Sequence, residues 1–465
     1  MLFRDKAHDA VLDNDFVYLE VIVLKGRADY LRLQERIFLT RSTVMPDKKT
    51  WNWDADKRLI ADISDMRKKY VDVHEFSVSG DGGKIAAPVR LEDDTFTAVL
   101  NGAAWDKTYE KLWYARFSPD NRLTALAMED DVWSLAVDGA CWEQGFDYAW
   151  NPRFSADGSH TGMQIKKESD YSIAVDDKAW DSMFLSCRDF AISPDGSRSV
   201  ALVQVENVPE ADIWKFKQGT WSVAVNDKVW DRNFMNVWGI AFSADNQHVA
   251  TQVRLDSMVF TIAVDGKAWD QTFTSVWEPK FRPDNGALLA PARNASGWTL
   301  VENGNPIWDG GFAQLWYINF SPDAKRIGAV VATELGKWTV AIDGKLWPNT
   351  WRDLVIGPVF SQDGSRAAAI VKHDNRWSVA VDGQQWPDTY DMVWDPAISP
   401  DNSVVLAKVE TGGKFYVCAN GKLWNQAFDA LWEPIFSPDG TKVLVRCIEN
   451  GKYYRWIVPV NQITG

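Results

Sequence analysis

Trp424-Asn-Gln-Ala-Phe-Asp-Ala-Leu-Trp432-Glu-Pro-Ile-Phe-Ser-Pro-Asp-Gly440 places two indoles eight residues apart, then a short apolar strand, then a tight turn. Variants of this stretch recur from residue 53 to residue 440. One Asp marks each turn: Asp81, Asp120, Asp157, Asp195, Asp245, Asp284, Asp323, Asp363, Asp401 and Asp439. The intervals are 39, 37, 38, 50, 39, 39, 40, 38 and 38 residues, so there are ten repeats and one insertion. A period of about 40 residues is that of one propeller blade.

Within a repeat the pattern reads as four short strands. Trp394–Ser399 is apolar and ends at Pro400-Asp401-Asn402, with Pro at the first central position of a turn. Val404–Val409 follows, then a Gly412-Gly413 hairpin and Phe415–Ala419. Asn420-Gly421 is a favoured two-residue hairpin turn and leads into a fourth strand, Lys422–Phe428. No helical period of useful length interrupts the pattern. A flat sheet of about forty strands would twist out of register. Repeated four-stranded units instead cover one another's apolar faces around an axis. The fold class is therefore an all-β propeller of WD40-like repeats, and the Ser-Pro-Asp-Gly turn resembles that of TolB-type propellers.

Ten repeats admit one large ring, two smaller rings or an open array. The ends favour the single ring. The last repeat stops after Lys452–Val458 without a fourth strand, and the first begins with a lone Trp53-Asp54 segment, so the strand near Trp53 is expected to complete the last blade. Residues 1–50 form an N-terminal extension outside the repeat, with Phe16–Lys25 strand-like and Leu31–Leu39 ambiguous.

The tryptophans, 26 in all, fall into three classes. Trp53, Trp105, Trp142, Trp180, Trp230, Trp269, Trp308, Trp347, Trp386 and Trp424 sit in the fourth strand. Trp113, Trp150, Trp238, Trp277, Trp316, Trp394 and Trp432 come eight residues later. Trp133, Trp221, Trp298, Trp338, Trp377 and Trp456 open the strand before the hairpin, with Phe96, Tyr171 and Phe260 as substitutes. Aromatics that recur in register pack; aromatics that bind a ligand would be confined to a few repeats. The Trp set is read as structural.

Composition narrows the function. With 50 Lys plus Arg against 64 Asp plus Glu, the net charge is −14, which disfavours nucleic acid and anionic lipid as partners. Cys141, Cys187, Cys418 and Cys447 form no Cys-x-x-Cys, so no metal or haem attachment motif is present. The five His fall at unrelated repeat positions, and there is no Gly-x-Ser-x-Gly elbow, phosphate loop or dinucleotide fingerprint. No catalytic residue, metal site or cofactor is expected. No apolar run is long enough to span a bilayer, and residues 1–15 lack a signal-peptide core, so a cytoplasmic location is expected. The insertion at Val203–Gly219 is confined to one repeat. It supplies the candidate partner contacts Glu206, Glu210, Asp212, Trp214 and Lys215, since loops on a rigid scaffold often carry function.

At Trp269-Asp270…Phe273…Trp277…Pro279…Phe281, and again across Trp424–Gly440, the sequence resembles the tryptophan-rich D subunit of the Tmc transmembrane electron-transfer complex of sulfate-reducing bacteria. The resemblance implies a non-catalytic cytoplasmic subunit held at the inner membrane by partners. Those partners would be a membrane cytochrome b and an iron–sulfur protein, within a chain carrying electrons from periplasmic hydrogen and cytochrome c to sulfate reduction. The alternative is a free-standing propeller that binds a carbohydrate or peptide.

Overall fold

Nine of the ten repeats turn the first strand into the second around one serine. The Ser437 hydroxyl donates to Asp439 Oδ1 (2.5 Å) and accepts from the Lys442 N–H (3.0 Å). Asp439 Oδ1 also accepts from the Thr441 N–H at 3.1 Å, and the Gly440 N–H donates to the Ser437 carbonyl at 2.9 Å. Ser79, Ser118, Ser155, Ser193, Ser243, Ser321, Ser361 and Ser399 stand in the same place, all buried. The sixth repeat departs: Arg282 replaces the serine and pairs with Asp284 at 2.9 Å. The hairpin between third and fourth strands is equally local. Asn420, at φ 48°, accepts from the Val405 N–H through its side chain (2.8 Å) and donates its own N–H to the Val405 carbonyl (2.9 Å). Asp138 and Asp343 do the same with Leu123 and Ile327. Asn and Asp tolerate the left-handed backbone of such turns, and here their side chains also tie the turn to the second strand.

The computed structural model describes residues 48–208 and 212–465. The expected elements at Phe16–Lys25 and Leu31–Leu39 lie outside these residues. Ten small antiparallel sheets follow one another and close into a ring, a ten-bladed β-propeller. Blades 1 to 9 cover residues 72–104, 111–141, 148–179, 186–229, 236–268, 275–306, 314–346, 354–385 and 392–423. Blade 10 combines residues 430–459 with Lys57–Asp62. First strands of neighbouring blades contact each other, as Gln314–Phe320 does with Leu354–Phe360, so they lie innermost. The Ser-Pro-Asp-Gly turns and the Asn-Gly or Asp-Gly hairpins share one face of the ring, here the lower. The hairpins between second and third strands, and the connections between blades, share the upper face.

Apolar clusters fill the spaces between blades. Val404, Leu406 and Val417 of blade 9 meet Val443, Val445 and Cys447 of blade 10, with Trp424 between them. Burying each such side chain stabilises by about 1.5–3 kcal/mol. Trp424 explains one departure from the sequence reading. The fourth strand is only Lys422–Leu423; the chain then leaves the ladder to turn Trp424 into the interface, and returns at Phe428 as a single bridge to Phe415. Trp105, Trp142, Trp180, Trp230, Trp269, Trp308, Trp347 and Trp386 likewise follow a two-residue strand rather than sit in it.

The ring closes through residues far apart in sequence. Lys57–Asp62 pairs antiparallel with Lys452–Pro459, Lys57 opposite Trp456 and Asp62 opposite Lys452. The closing strand is thus a few residues beyond Trp53. Trp51 and Trp53 stack at 6.0 Å and lie against Ile435, Leu444 and Ile457. Two buried arginines hold the other side of the seam. Arg446 donates to the carbonyls of Ser79 (3.2 Å), Gly80 (3.5 Å) and Glu433 (3.1 Å). Arg455 donates to the carbonyls of Asp81 (2.8 Å) and Asn52, and the Tyr453 hydroxyl donates to the Gly82 carbonyl (3.1 Å). Gly82, at φ 76°, admits them: a Cβ there would stand 3.0 Å from Arg446 Cγ and 3.2 Å from Arg455 Cγ. Burial pushes the Arg446 guanidinium below its ordinary range, yet its three carbonyl acceptors favour the charged form.

Two outcomes follow from these contacts. Hydrogen bonds to charged groups contribute about 1.5–3 kcal/mol each, so Arg446→Ala should lower the unfolding free energy of the whole ring by at least that much, read as a lower denaturant midpoint. Arg352→Ala, at an exposed site on blade 8, should not; equal effects would deny the seam its role. The turn carboxylates set the second. Hydrogen bonds from Ser437 and Thr441 bring Asp439 down to about 2, and similar donors hold Asp157, Asp195, Asp363 and Asp401 below the ordinary range. An unfolded Asp titrates near 3.9, so this stabilisation is complete above about pH 5 and is lost as pH falls toward 2. The melting temperature should fall steeply below pH 4, and Asp363→Ala combined with Asp439→Ala should flatten that slope while lowering stability at pH 7.

Candidate interaction surface

A second regularity runs round the upper rim. In nine of the ten blades the residue that opens the third strand meets a side chain from the first strand or its edge. Trp113 packs on Trp133 (ring centroids 4.4 Å), Trp150 edge-on against Tyr171 (5.9 Å), Trp238 on Phe260 (6.1 Å), and Trp277 stacks on Trp298 (5.5 Å, 7° between planes). Trp316 on Trp338 (4.5 Å), Trp394 on Phe415 (5.8 Å) and Trp432 on Tyr453 (5.8 Å) continue it. Blades without the expected Trp keep the contact by other means. His74 lies 6.0 Å from Phe96 in blade 1, and in blade 4 the Arg188 guanidinium lies 4.3 Å from the Trp221 ring. Lys408 adds a cation over Trp394 at 4.0 Å. The indole N–H groups of Trp277, Trp298 and Trp316 are buried with no acceptor in the protein, so ring faces carry these pairs.

The structure moves two tryptophans out of their assigned classes. Tyr453, opposite Ile448, holds the third-strand position in blade 10, and Trp456 lies three residues further on, packed on Trp424 at 4.9 Å. Trp53 precedes its strand instead of following it. Trp351, unassigned by spacing, bridges Trp338 where other blades have Phe or Tyr. Two of the five histidines are not at unrelated positions: His160 and His248 take the same turn position in blades 3 and 5. They meet Asp176 and Asp265 at 2.6 and 2.7 Å, as Arg326 and Arg366 meet Asp343 and Asp382.

Chemistry-bearing groups elsewhere are quiet. Among the described residues no three His, Cys, Asp or Glu stand close enough to hold a metal, and no helix is long and apolar enough to cross a membrane. Burial pushes the Cys418 thiol up to about 11 and those of Cys187 and Cys447 up to about 12. Such thiols stay protonated and unreactive. Shallow openings include one of about 430 Å³ on the lower face beside Trp51, Arg58, Asp81 and Arg455, and one of about 280 Å³ on the upper face between Arg293–Gly297 and Gly311–Ala313.

The insertion lies between Ser199–Gln204 and Trp221–Val225 and holds a short helix, Ile213–Gln218, which the sequence pattern does not reveal. Asp212 caps it, accepting from the N–H groups of Trp214 (3.1 Å) and Lys215 (3.0 Å). Lys215 pairs with Glu206 at 3.3 Å, and Lys217 pairs with Asp256 of blade 5 at 3.5 Å. Of the candidate contacts, Asp212, Glu206 and Lys215 therefore build the loop, and Glu210 lies outside the described residues. Trp214 is left facing outward, 73% exposed, beside Ile213 at 61%; Met258 of blade 5 is 67% exposed. Met258 escapes a motif search because it belongs to an ordinary hairpin. Its signal is a bulky residue at φ 58°, where a turn usually places Asn or Gly.

An acidic clamp serves the same upper face. The residue just before the first strand accepts from the hairpin N–H of its own blade: Glu110 from Asp130 (3.0 Å), Asp147 from Glu168 (2.5 Å), Asp353 from Asn375 (2.8 Å), Asp391 from Gly412 (2.9 Å) and Asp429 from Asn450 (2.7 Å). The equivalent residues of blades 4 to 7 are Leu185, Met235, Thr274 and Ala313, and that of blade 1 is Val71.

No protein-family model matches the chain, and no curated protein matches it. Among solved structures, a crystal structure of the eukaryotic initiation factor is 14% identical with a TM-score of 0.43, covering 77% of this chain and 89% of that one. The β-propeller domain of Myceliophteria thermophila Cps50 (Swd1) is 10% identical with a TM-score of 0.30, covering 58% and 95%.

Burial separates two kinds of tryptophan, and mutation should too. Truncating a buried Trp costs about 3–5 kcal/mol, so Trp298→Ala should lower the melting temperature sharply. Trp214→Ala should change stability by no more than about 0.5 kcal/mol. Comparable losses in a pair of thermal melts would contradict the assignment of Trp214 to the surface.

Proposed function

We propose that this propeller is a non-catalytic interaction scaffold, and that it serves as a peripheral subunit of a membrane-associated electron-transfer complex. The observation that carries the scaffold reading is the exposed Trp214 and Ile213 on a capped, ion-paired insertion that no other blade possesses. An exposed indole on a rigid support is a common interface hot spot. The finer reading rests on the sequence register of the tryptophans, and gives the chain a membrane cytochrome b and an iron–sulfur protein as partners. Its role is to hold them: burial keeps the thiols of Cys187, Cys418 and Cys447 protonated, His160 and His248 serve lower turns, and His74 packs on Phe96.

A second reading has one observation in its favour. Trp113, Trp133, Tyr148, Trp150 and Tyr171 form a continuous run of ring contacts across blades 2 and 3, and Trp113 and Tyr148 are 40% and 44% exposed. Such a platform suits a sugar ring or a peptide. One experiment divides the two readings. The chain is purified from gently detergent-extracted membranes of its native host, and the visible spectrum and iron content of the eluate are recorded. Stoichiometric haem and iron–sulfur absorbance supports the redox scaffold. A colourless, partner-free protein whose fluorescence is quenched by a carbohydrate or peptide rejects it in favour of the platform.

A further inference from the structure

We infer that the seam between blades 10 and 1 is a binding site for inorganic phosphate, built on a row of three arginines. This goes beyond the scaffold reading and does not depend on it. Arg58 stands opposite Arg455 on the neighbouring strand, and Arg455 stands opposite Arg446 on the next. Directly opposed residues share a face, about 4.5–5.5 Å apart, and like charges so placed are destabilising. The other nine blades avoid the arrangement. The place of Arg455 is held by Leu135, Val340, Val379 and Val417 in blades 2, 7, 8 and 9, and in all nine the residue there is apolar and buried. Opposite it, where Arg58 stands, eight blades have Trp and blade 6 has Ile307. The place of Arg446 is less strict, since Gln164, Gln252 and Lys408 occur there. Nine blades pack on their neighbours without such a row, so packing does not call for it.

The row borders an opening. Arg58 and Arg455 line the cavity of about 430 Å³ on the lower face, together with Trp51, Asn52, Asp81 and Gly83. Elsewhere an indole lies under the hairpin glycine of the next blade, as Trp386 does under Gly421. A Cβ on Gly102 of blade 1 would meet only the Asp62 carbonyl, at 3.9 Å. The row also has donors to spare. Arg455 Nη1 and Arg446 Nε are buried with no acceptor in the protein, and the Arg58 side chain is 53% exposed. Burial pushes both Arg446 and Arg455 below the ordinary range, and an anion beside them opposes that shift. Charge and hydrogen bonding select the ligand. Asp81, on the opening, is committed to the Ser79 hydroxyl (2.6 Å) and the Gly83 N–H (3.0 Å), and Asp120 to Arg122 (2.6 Å). Lys84 and Lys442, on turns to either side, donate to the carbonyls of Asn121 and Trp53, each at 2.8 Å. Asp56 is the carboxylate that pairs with the row, through Oδ2 on Arg58 at 3.0 Å. Three cations against one paired carboxylate leave a surplus that suits a dianion. The other oxygen of Asp56 is buried without a donor. Monohydrogen phosphate is a dianion that supplies what both sides want: acceptor oxygens for the guanidinium groups and an O–H for Asp56. Sulfate has the same charge and shape but no proton, and would set a lone pair against Asp56.

The test titrates the full chain with sodium phosphate, and separately with sodium sulfate, in a calorimeter at constant ionic strength and near-neutral pH. The expected result is one saturable phosphate per chain, with a melting temperature that climbs as phosphate is added. Sulfate should bind at least about tenfold more weakly. Arg58→Gln removes the exposed member of the row. It should melt like the wild type in the absence of phosphate and bind phosphate at least about tenfold more weakly. Arg352→Gln, on blade 8, should bind as the wild type does. Asp56→Asn should narrow the gap between phosphate and sulfate. A wild-type chain with no saturable phosphate site overturns the inference. So does sulfate binding as tight as phosphate, or full phosphate affinity in Arg58→Gln.

Discussion

A ring of sheets has one seam, and the stability of every blade depends on it. Each blade hides its apolar faces only against two neighbours, so an open array would expose the faces of its first and last members. Here the seam is closed twice. On the outside, Lys57–Asp62 supplies the fourth strand that blade 10 cannot take from its own end. On the lower face, Arg446, Arg455 and Tyr453 donate to four carbonyls of the first Ser-Pro-Asp-Gly-type turn, Ser79 to Gly82. The contacts join residues more than 360 positions apart, and they convert a chain of local hairpins into a cooperative object. Burying two guanidinium groups is costly. The cost is offset because backbone carbonyls, rather than carboxylates, accept from them, and Gly82 has no Cβ to hold them off.

The rest of the ring is held by repetition of a few contacts. A buried serine fastens nine of the ten lower turns, an Asn or Asp fastens the lower hairpin of blades 1 to 9, and a side chain packed on a ring fastens the upper edge of nine blades. The last of these is tolerant of chemistry. His74 on Phe96 and Arg188 on Trp221 preserve the stack without an indole from the first strand, because a flat cation or imidazole meets a π face nearly as well. In blade 8 an extra residue separates Trp351 from its first strand, and no ring occupies that place. One missing stack in ten leaves the interface clusters on either side intact, as Trp338 and Val371 show between blades 7 and 8.

Local physics was legible in the sequence, and long-range physics was not. The period, the four strands and the turn chemistry follow from residues within five positions of each other, such as Ser437 and Lys442. The seam does not: nothing in Arg446 or Arg455, read along the chain, announces that Gly80 or Asn52 will lie against it. Trp456 shows how counting fails at such a place. Spacing from the preceding turn suggested the third-strand position, but the last blade has no fourth strand of its own, and its long third strand begins earlier, at Lys452. Tyr453 therefore takes the stack. Fourth strands were overdrawn for a related reason, since β-propensity at Trp424 records burial between blades rather than pairing in a ladder.

The surface was legible only once the blades could be laid over one another. Leu335 and Met258 are unremarkable as single exposed side chains, and the acid before each first strand looks like solvated charge. Superposition of the ten repeats turns both into a statement about position. The acid that braces a hairpin in half the ring is replaced in blade 1 and in blades 4 to 7, and the exposed apolar side chains Trp214, Met258 and Leu335 appear on the hairpins of blades 4, 5 and 7. The scaffold makes the departure meaningful, because ten near-identical units supply nine internal controls for whatever one of them does differently. Packing explains what the repeats share. It does not explain an indole 73% exposed on a capped helix, and a soluble surface retains such a feature at the cost of a standing tendency to associate. The distinctive chemistry of this chain therefore lies where the fold asks for nothing and the sequence nonetheless departs from its own rule.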